Sequence, residues 1–198
     1  MAKLYFSYSA MNAGKSTILL QASHNYFERG MRTMLITSNL DNRVKKGKIT
    51  SRIGLSEDAE LFDKYTNIYS LIDKFNFKNK ISCVLIDEAQ FLSYDQVWQL
   101  SDIVDKLKLP VMCYGLRTDF LGKLFSGSEI LLSIADEIRE IRTICHCGKK
   151  ATMVIRQDDK GKVIKSGAQI EIGGNEKYTS LCRLHWKKMI VGKEINND

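Results

Sequence analysis

The sequence predicts an α/β fold with a parallel sheet covered by helices, followed by a smaller β-rich unit. Two observations carry this prediction. Short apolar runs alternate with longer amphipathic stretches in the first part of the chain, which is the pattern of consecutive β-α-β units. From Cys145 onward, glycines become frequent and the apolar runs shorten. We therefore expect an α/β domain over residues 1–142, a loop-rich β subdomain over residues 143–192 and a tail over residues 193–198.

Four strands and two helices are predicted in the first domain. The strands are runs rich in apolar residues, at 4–8, 33–37, 83–86 and 111–114. The third run is almost wholly apolar, as a strand buried on both faces of a sheet should be. The helices, at 16–27 and near 94–107, carry apolar residues at helical spacing. Gly30 is expected to end the first helix, and Pro110 and Gly115 to bound the last strand.

The composition is that of an ordinary globular protein, since 44% of the 198 residues are hydrophobic and 27% are charged. No apolar run approaches the roughly 18 residues that cross a membrane. The first residues enter a predicted strand at once, which leaves no room for a signal peptide. We therefore expect a cytoplasmic protein with no membrane partner.

The net charge favours phosphate-bearing ligands. A formal charge of +7 attracts nucleotide, nucleic acid or anionic membrane, although a solvated basic surface explains it equally well. One cluster of cations is denser than the rest and lies in a stretch of weak apolar periodicity. It predicts a mobile basic loop that contains Arg43, Lys45, Lys46, Lys48 and Arg52.

The segment between the first strand and the first helix matches the P-loop pattern, with serine in place of the first glycine. It comprises Ser9, Ala10, Met11, Asn12, Ala13, Gly14, Lys15 and Ser16. Backbone N–H groups of such a loop, together with those at the helix start, point at anionic oxygens. We expect Lys15 to reach the β- and γ-phosphates of ATP, and the Ser16 hydroxyl to ligate Mg²⁺.

Two carboxylates directly follow the buried run at 83–86. Asp87 stands where a protein with a P-loop places its second Mg²⁺ anchor, through water. Glu88 would then face the reaction, either as the base for a hydroxyl acceptor or as the group that orients water. With Ala89 and Gln90, the pair also resembles the acidic box of helicase-type ATPases. Chain length argues against that class, because helicases usually need two such lobes.

The smaller unit contains two close-spaced pairs of soft metal ligands. Cys145 and Cys147 form the first pair, and Cys182 and His185 the second. Such pairs are what a tetrahedral structural Zn²⁺ requires, with His146 as a competing ligand in the first pair. Four protein ligands leave no open position for catalysis, so the metal is expected to hold the subdomain together.

Together these motifs resemble those of type II thymidine kinases, a family that includes bacterial enzymes and the cytosolic animal enzyme. The resemblance covers nearly the whole chain. Beyond the P-loop it extends to three segments, which are similar to the acidic motif, the segment lining the thymine pocket and the lasso loop of the family: residues 87–91, 114–120 and 172–178. It implies a RecA-like P-loop fold with a zinc-containing lasso domain.

The resemblance also implies roles for individual residues. Glu88 would take the proton from the nucleoside 5′-hydroxyl, and Arg52 would approach the transferred phosphate beside Lys15. The acidic motif would contribute to the nucleotide site through Asp87, Glu88, Ala89 and Gln90. The residues expected around the nucleoside are Met11, Phe91, Leu116, Phe120, Phe125, Gly173 and Tyr178. Aromatic side chains stack on bases and a guanidinium stabilises phosphate charge, so the residue types suit these roles.

The reaction expected from the resemblance is transfer of the γ-phosphoryl group of ATP to the 5′-hydroxyl of thymidine, and of deoxyuridine too, in nucleotide salvage. The family implies a homotetramer and feedback inhibition by thymidine triphosphate. Two other classes stay open on the residues alone: an ATPase stimulated by nucleic acid, and a zinc module that binds nucleic acid through the basic loop. We expect the kinase, with no nucleic-acid partner.

Overall fold

The computed structural model describes residues 1–40, 47–170 and 177–192 of the chain. Within these ranges the strands are β1 (Leu4–Ser9), β2 (Thr33–Ser38), β3 (Lys48–Thr50), β4 (Ser56–Asp58), β5 (Glu60–Phe62), β6 (Cys83–Ile86), β7 (Val111–Leu116), β8 (Glu137–Glu140), β9 (Thr143–Ile144), β10 (Lys150–Ala151), β11 (Met153–Gln157), β12 (Val163–Ile164) and β13 (Tyr178–Leu181). The helices are α1 (Lys15–Phe27), α2 (Ile68–Asn79), α3 (Tyr94–Asp102), α4 (Ser126–Ile134) and α5 (Arg183–Val191).

The central sheet is parallel throughout and has the strand order β5-β2-β6-β7-β1-β8. In register, Phe6 of β1 pairs with Cys113 of β7, and Leu35 of β2 pairs with Leu85 of β6. Because parallel strands end at the same edge, the carboxyl ends of β6, β7 and β1 lie side by side. Open parallel sheets bind their ligands at such an edge.

Helices cover both faces of this sheet. On one face, residues of α2, α3 and α4 pack against Ile36 and Ile86 in the larger core cluster. On the other, Leu19 and Leu20 of α1 pack against Leu35 and Leu85. All four residues of β6 are 0% exposed, which explains why that run contains no polar side chain.

The remaining strands form small antiparallel sheets. Strands β3 and β4 make a hairpin beside α1. Strands β9 and β10 pair with each other, and β11 lies between β12 and β13. Helix α5 packs on this last sheet, and its Trp186 Nε1 donates to the carbonyls of Phe120 (3.0 Å) and Val154 (3.1 Å). The tryptophan therefore connects the C-terminal part of the described chain to the segment after β7.

The structure confirms the predicted α/β fold with a parallel sheet, and corrects two details. Residues 183–191, predicted as part of a loop-rich β subdomain, form helix α5. Gly115 was expected to end the last predicted strand, but β7 continues to Leu116. A Cβ at Gly115 would lie 2.9 Å from Gln90 Oε1, so glycine is needed there for close packing and not for a turn. The predicted helix near 94–107 is α3, followed by a π-helical turn over Ile103–Leu107.

Several sequence predictions fall outside the described residues: Arg43, Lys45, Lys46, Gly173, most of the lasso segment and the tail at 193–198. The division of the chain at residues 142 and 143 stays a prediction. Across the described ranges, no helix has the length and apolarity needed to cross a membrane.

Candidate active site and metal centre

The loop between β1 and α1, residues 9–16, has a backbone shaped for anion binding. Asn12 (φ 64°) and Gly14 (φ 82°) both adopt left-handed conformations, which glycine tolerates without steric cost. Gly14 is also the N-cap of α1 and has no side chain that could bind the first N–H groups of the helix. Those groups therefore stay available to an anion at the carboxyl edge of the sheet.

Lys15 and Ser9 form the inner wall of this loop. Lys15 is buried, and its Nζ donates to Ser9 Oγ (3.0 Å) and to the Ala10 carbonyl (3.3 Å). The Ser9 hydroxyl in turn donates to the same carbonyl at 2.6 Å. The serine at the first position of the pattern, where glycine is usual, thus supplies a partner for the lysine ammonium.

Ser16 in the first turn of α1 and Asp87 at the end of β6 bring two side-chain oxygens together. Ser16 Oγ donates to Asp87 Oδ2 over 2.7 Å. Mg²⁺ prefers oxygen ligands at 2.0–2.1 Å in an octahedron, in which neighbouring ligand atoms lie about 2.9 Å apart. The pair is therefore close enough to serve one magnesium ion, which Asp87 could reach directly or through the predicted water.

Asp87 lies in an electrostatic setting that favours a cation. Burial raises the pKa of its carboxyl to about 6, and the neighbouring Glu88 charge adds to the rise. The Ser16 hydroxyl and the Lys15 ammonium oppose this shift only in part. A buried carboxylate with a raised pKa is stabilised in its charged form when a divalent ion binds beside it.

Glu88 adopts an uncommon backbone conformation directly after Asp87. Its φ of 53° and ψ of 36° lie in the left-handed region, which is uncommon for non-glycine residues and recurs at functional sites. The side chain is buried, and Glu88 Oε2 accepts a hydrogen bond from Gln90 Nε2 at 2.5 Å. The short 3-10 helix Ala89–Phe91 follows and leads the chain away from the strand.

Several of the residues predicted around a nucleoside lie near this edge. Phe91 and Phe125 meet edge to face with ring centroids 6.0 Å apart. The Leu116 N–H donates to Gln90 Oε1 (3.0 Å), which brings the end of β7 to the acidic motif. Phe120 is buried beneath the Arg156 guanidinium, whose carbon lies 4.1 Å from the ring centroid.

Two further residues predicted for the site, Tyr178 and Arg52, lie on strands or turns outside the central sheet. Tyr178 begins β13, and Ser180 of the same strand donates to the Met11 carbonyl (2.6 Å), so the strand reaches loop 9–16. Arg52 is exposed in the turn between β3 and β4. Its approach to a transferred phosphate stays a prediction.

Two polar residues, Ser180 and Asp119, were not predicted as site residues, although Asp119 lies in segment 114–120, which resembles the segment lining the thymine pocket. Ser180 lies outside every motif, and no sequence signal singles it out. Asp119 is buried and accepts hydrogen bonds from the N–H groups of Leu121 and Lys123 and from the Gln169 amide (3.0 Å). An aspartate three positions before Gly122 is typical of a turn, and that pattern was available from the sequence.

The four predicted metal ligands converge at a second site. Cys145 and Cys147 lie in a tight turn between β9 and β10, while Cys182 and His185 lie at the start of α5. One potential ligand atom from each lies within 4.8 Å of all the others. This convergence joins residues that are far apart in the chain.

The distances between these atoms suit a tetrahedral ion. His185 Nδ1 lies 3.4 Å from both Cys145 Sγ and Cys182 Sγ, and Cys147 Sγ lies 3.9 Å from Cys182 Sγ. Tetrahedral Zn–S bonds of 2.3 Å and Zn–N bonds of 2.0–2.1 Å place neighbouring ligand atoms about 3.5–3.8 Å apart. The donor set and its spacing therefore fit Zn²⁺.

The surroundings of Cys145 favour the thiolate that binds metal. Burial raises the pKa of the thiol, but backbone hydrogen bonds from Cys147 and Cys182 and a bond from His185 lower it to about 6 overall. The His146 ring packs against the His185 ring with centroids 4.3 Å apart. His146 Nδ1 lies 3.7 Å from Cys145 Sγ, but His146 is not part of the group of four residues whose potential ligand atoms converge.

A lysine and a serine at the start of a helix, opposite two carboxylates at a strand end, are typical of a nucleotide-dependent phosphotransferase. Comparison with known proteins identifies the family. A sequence profile of the thymidine kinase family matches residues 2–186. The chain belongs to the thymidine kinase family, as the resemblance of its motifs implied.

Curated relatives support this assignment over almost the full length of the chain. The chain is 61% identical over 188 residues to a thymidine kinase of Haemophilus influenzae, covering 95% of this chain and 97% of the relative. It is 61% identical over 186 residues to a thymidine kinase of Agrobacterium fabrum, covering 94% and 96%. A thymidine kinase of Shewanella oneidensis is 57% identical over 190 residues, covering 96% and 99%.

Proposed function

We propose that this protein is an ATP-dependent thymidine kinase that transfers the γ-phosphoryl group of ATP to the thymidine 5′-hydroxyl. The observation that carries the proposal is the juxtaposition of Lys15, Ser16, Asp87 and Glu88 in a chain that belongs to the thymidine kinase family. Deoxyuridine, which differs from thymidine by one methyl group on the base, is expected as a second acceptor.

Loop 9–16 would hold the triphosphate. The N–H groups at the start of α1 would bind phosphate oxygens, and Lys15 would leave its contacts with Ser9 and Ala10 to reach the β- and γ-phosphates. Ser16 and Asp87 would hold Mg²⁺. When bound, the ion supplies positive charge that stabilises the phosphate oxygens during transfer.

Glu88 would act as the general base and accept the proton of the attacking 5′-hydroxyl. Its position directly after Asp87 at the end of β6, and the hydrogen bond that its carboxylate accepts from Gln90, support this role. Arg52 would stabilise the charge on the transferred group. The proton thus leaves the hydroxyl as the new O–P bond forms and the bond to ADP breaks.

The nucleoside would be enclosed by the residues predicted from the resemblance: Met11, Phe91, Leu116, Phe120, Phe125, Gly173 and Tyr178. Support for this pocket comes from the contact of Phe91 with Phe125 and from the bond of Ser180 to the Met11 carbonyl. A lasso formed by residues 172–178 would exclude water, which otherwise competes with the nucleoside as acceptor.

Zn²⁺ would have a structural role. Cys145, Cys147, Cys182 and His185 would hold it, and the bound ion would cross-link the turn after β9 to the start of α5. A homotetramer, feedback inhibition by thymidine triphosphate and a cytoplasmic location are further parts of the proposal.

The test is ADP release by the purified protein with ATP and Mg²⁺, measured against a panel of nucleosides and, separately, single-stranded DNA. We expect turnover with thymidine and deoxyuridine and the nucleoside monophosphate as product. ATP hydrolysis that rises with DNA and ignores nucleosides would replace the kinase by an ATPase stimulated by nucleic acid.

A further inference from the structure

Gln90 joins the proposed base to the end of a neighbouring strand. The side chain is 1% exposed. Its Nε2 donates to Glu88 Oε2 at 2.5 Å, and its Oε1 accepts the Leu116 N–H at 3.0 Å. Both ends of this buried amide therefore form hydrogen bonds within the protein. These bonds explain the presence of Gln90 without contact to a nucleotide.

The orientation of this amide is fixed by chemistry. A backbone N–H can only donate, so the amide oxygen must face Leu116. The NH₂ group must then face Glu88, where an ionised carboxylate can only accept. The bond to Leu116 therefore determines which end of the Gln90 amide meets Glu88.

Close packing on two sides holds the bridge in place. A Cβ at Gly115 of β7 would lie 2.9 Å from Gln90 Oε1 and 3.0 Å from Gln90 N. A Cβ at Gly127 of α4 would lie 2.5 Å from the Ala89 carbonyl oxygen and 3.0 Å from that of Gln90. Two glycines thus leave just enough room for the 3-10 helix that carries the amide, which restricts where Gln90 can place it.

We propose that Gln90 is a positioning residue that orients the Glu88 carboxylate for proton abstraction by tying it to the carboxyl end of β7. The inference rests on the proposed function, in which Glu88 is the base. Glutamate has three side-chain torsions, and the left-handed backbone of Glu88 fixes none of them by itself. The Glu88 charge interacts with that of the adjacent Asp87, and Gln90 supplies a neutral hydrogen-bond donor to the Glu88 carboxylate.

A double-mutant cycle between Gln90→Met and Glu88→Gln tests this role. Methionine keeps the length of the side chain and removes both hydrogen bonds. In the wild-type background we expect kcat for thymidine to fall about tenfold to a hundredfold, because a misplaced catalytic group costs that much, while KM for ATP stays within about threefold. In the Glu88→Gln background the same change should alter kcat less than about twofold, since the base is already absent.

Gln96→Met is the matched control. Gln96 is also buried, and its amide donates to the carbonyls of Asp63 and Thr66, away from Glu88. We expect it to lower the melting temperature without lowering kcat in either background. If Gln90→Met proves too unstable to purify, Gln90→Glu replaces it in the double-mutant cycle. Gln90→Glu keeps the acceptor for the Leu116 N–H and removes the donor to Glu88.

The exchanged pair Glu88→Gln/Gln90→Glu separates structure from catalysis. The hydrogen bond between the two side chains is restored with reversed polarity, so the melting temperature should recover relative to Gln90→Glu alone while kcat does not. An equal fold loss from Gln90→Met in both backgrounds would overturn the positioning role. The proposed function is tested separately, by the assay of the wild-type protein against the nucleoside panel. A wild-type protein that does not phosphorylate thymidine in that assay would refute the proposed function.

Discussion

The two candidate sites are held in place by different means. The active-site edge stands on strands that are buried on both faces by helices. The cysteine and histidine cluster stands on a core of five buried residues, and two of those, Cys145 and Cys182, are themselves predicted metal ligands. So small an apolar core does not support a fold alone, which is why metal is expected to stabilise the second site and not the first.

The largest expected effect is a loss of activity at the candidate active site with no loss of stability. Lys15→Ala should lower phosphoryl transfer by about 10³-fold or more, because the ammonium is the main cationic side chain of loop 9–16. The melting temperature should stay near that of the wild type, since the Lys15 bonds to Ser9 and Ala10 are local to the loop and the core strands do not depend on them. Lys106→Ala, on the exposed end of the helical segment after α3, is the control and should keep full activity.

Glu88→Gln should lower kcat by about 10²–10⁴-fold, the usual contribution of a general base. The amide keeps the shape of the side chain and cannot accept the hydroxyl proton. Steady-state kinetics with thymidine should show little change in KM for ATP. Turnover equal to that of the wild type would remove Glu88 from its proposed role.

Loss of metal should first affect the region around the cysteine and histidine cluster, from β9 to α5. Metal analysis of the purified protein should find about one Zn²⁺ per chain. In Cys182→Ser we expect loss of zinc and faster amide hydrogen exchange in β9 to α5, while β6 and β7 stay protected. His146→Ala is the matched control and should retain zinc, because the four predicted ligands converge without His146. A zinc-free wild type with full activity would refute the site.

The smallest expected effect concerns the pH dependence of stability in the absence of Mg²⁺ and nucleotide. Burial raises the pKa of Asp87 from 3.8 to about 6, so the folded state holds this proton more tightly than the unfolded state. The folded protein should therefore lose stability as pH rises from about 4 to about 6, by roughly 2–3 kcal/mol. Asp87→Asn should be more stable than the wild type at pH 7 and equally stable below pH 4.

Thermal unfolding of both proteins across this pH range checks the prediction. Protonation of the zinc ligands contributes equally to both and cancels in the difference. A constant difference between the variant and the wild type at all pH values would show that Asp87 does not titrate in this range.

The buried strands were predictable because their position in the sheet dictates their composition. Strands β1, β2, β6 and β7 appear in the sequence as apolar runs close to their observed limits. The edge strand β8, with the sequence Glu-Ile-Arg-Glu, was missed, since pairing with β1 and not composition makes it a strand. Helix α2 was missed too, although its N-cap Asn67, which accepts the Ser70 N–H (2.8 Å), was a usable signal.

The sequence by itself determined the groups that are local in the chain: loop 9–16 before its helix, Asp87 and Glu88 after a buried strand, and the two metal-ligand pairs. Such motifs depend on neighbouring residues, and their chemistry is readable from residue type and spacing. Only the tertiary structure decided how these groups meet. The bond of Ser16 to Asp87, the bridge of Gln90 to Leu116 and the contact of Ser180 with Met11 all depend on strand order and register. Those are set by packing of the whole core, which no local pattern encodes.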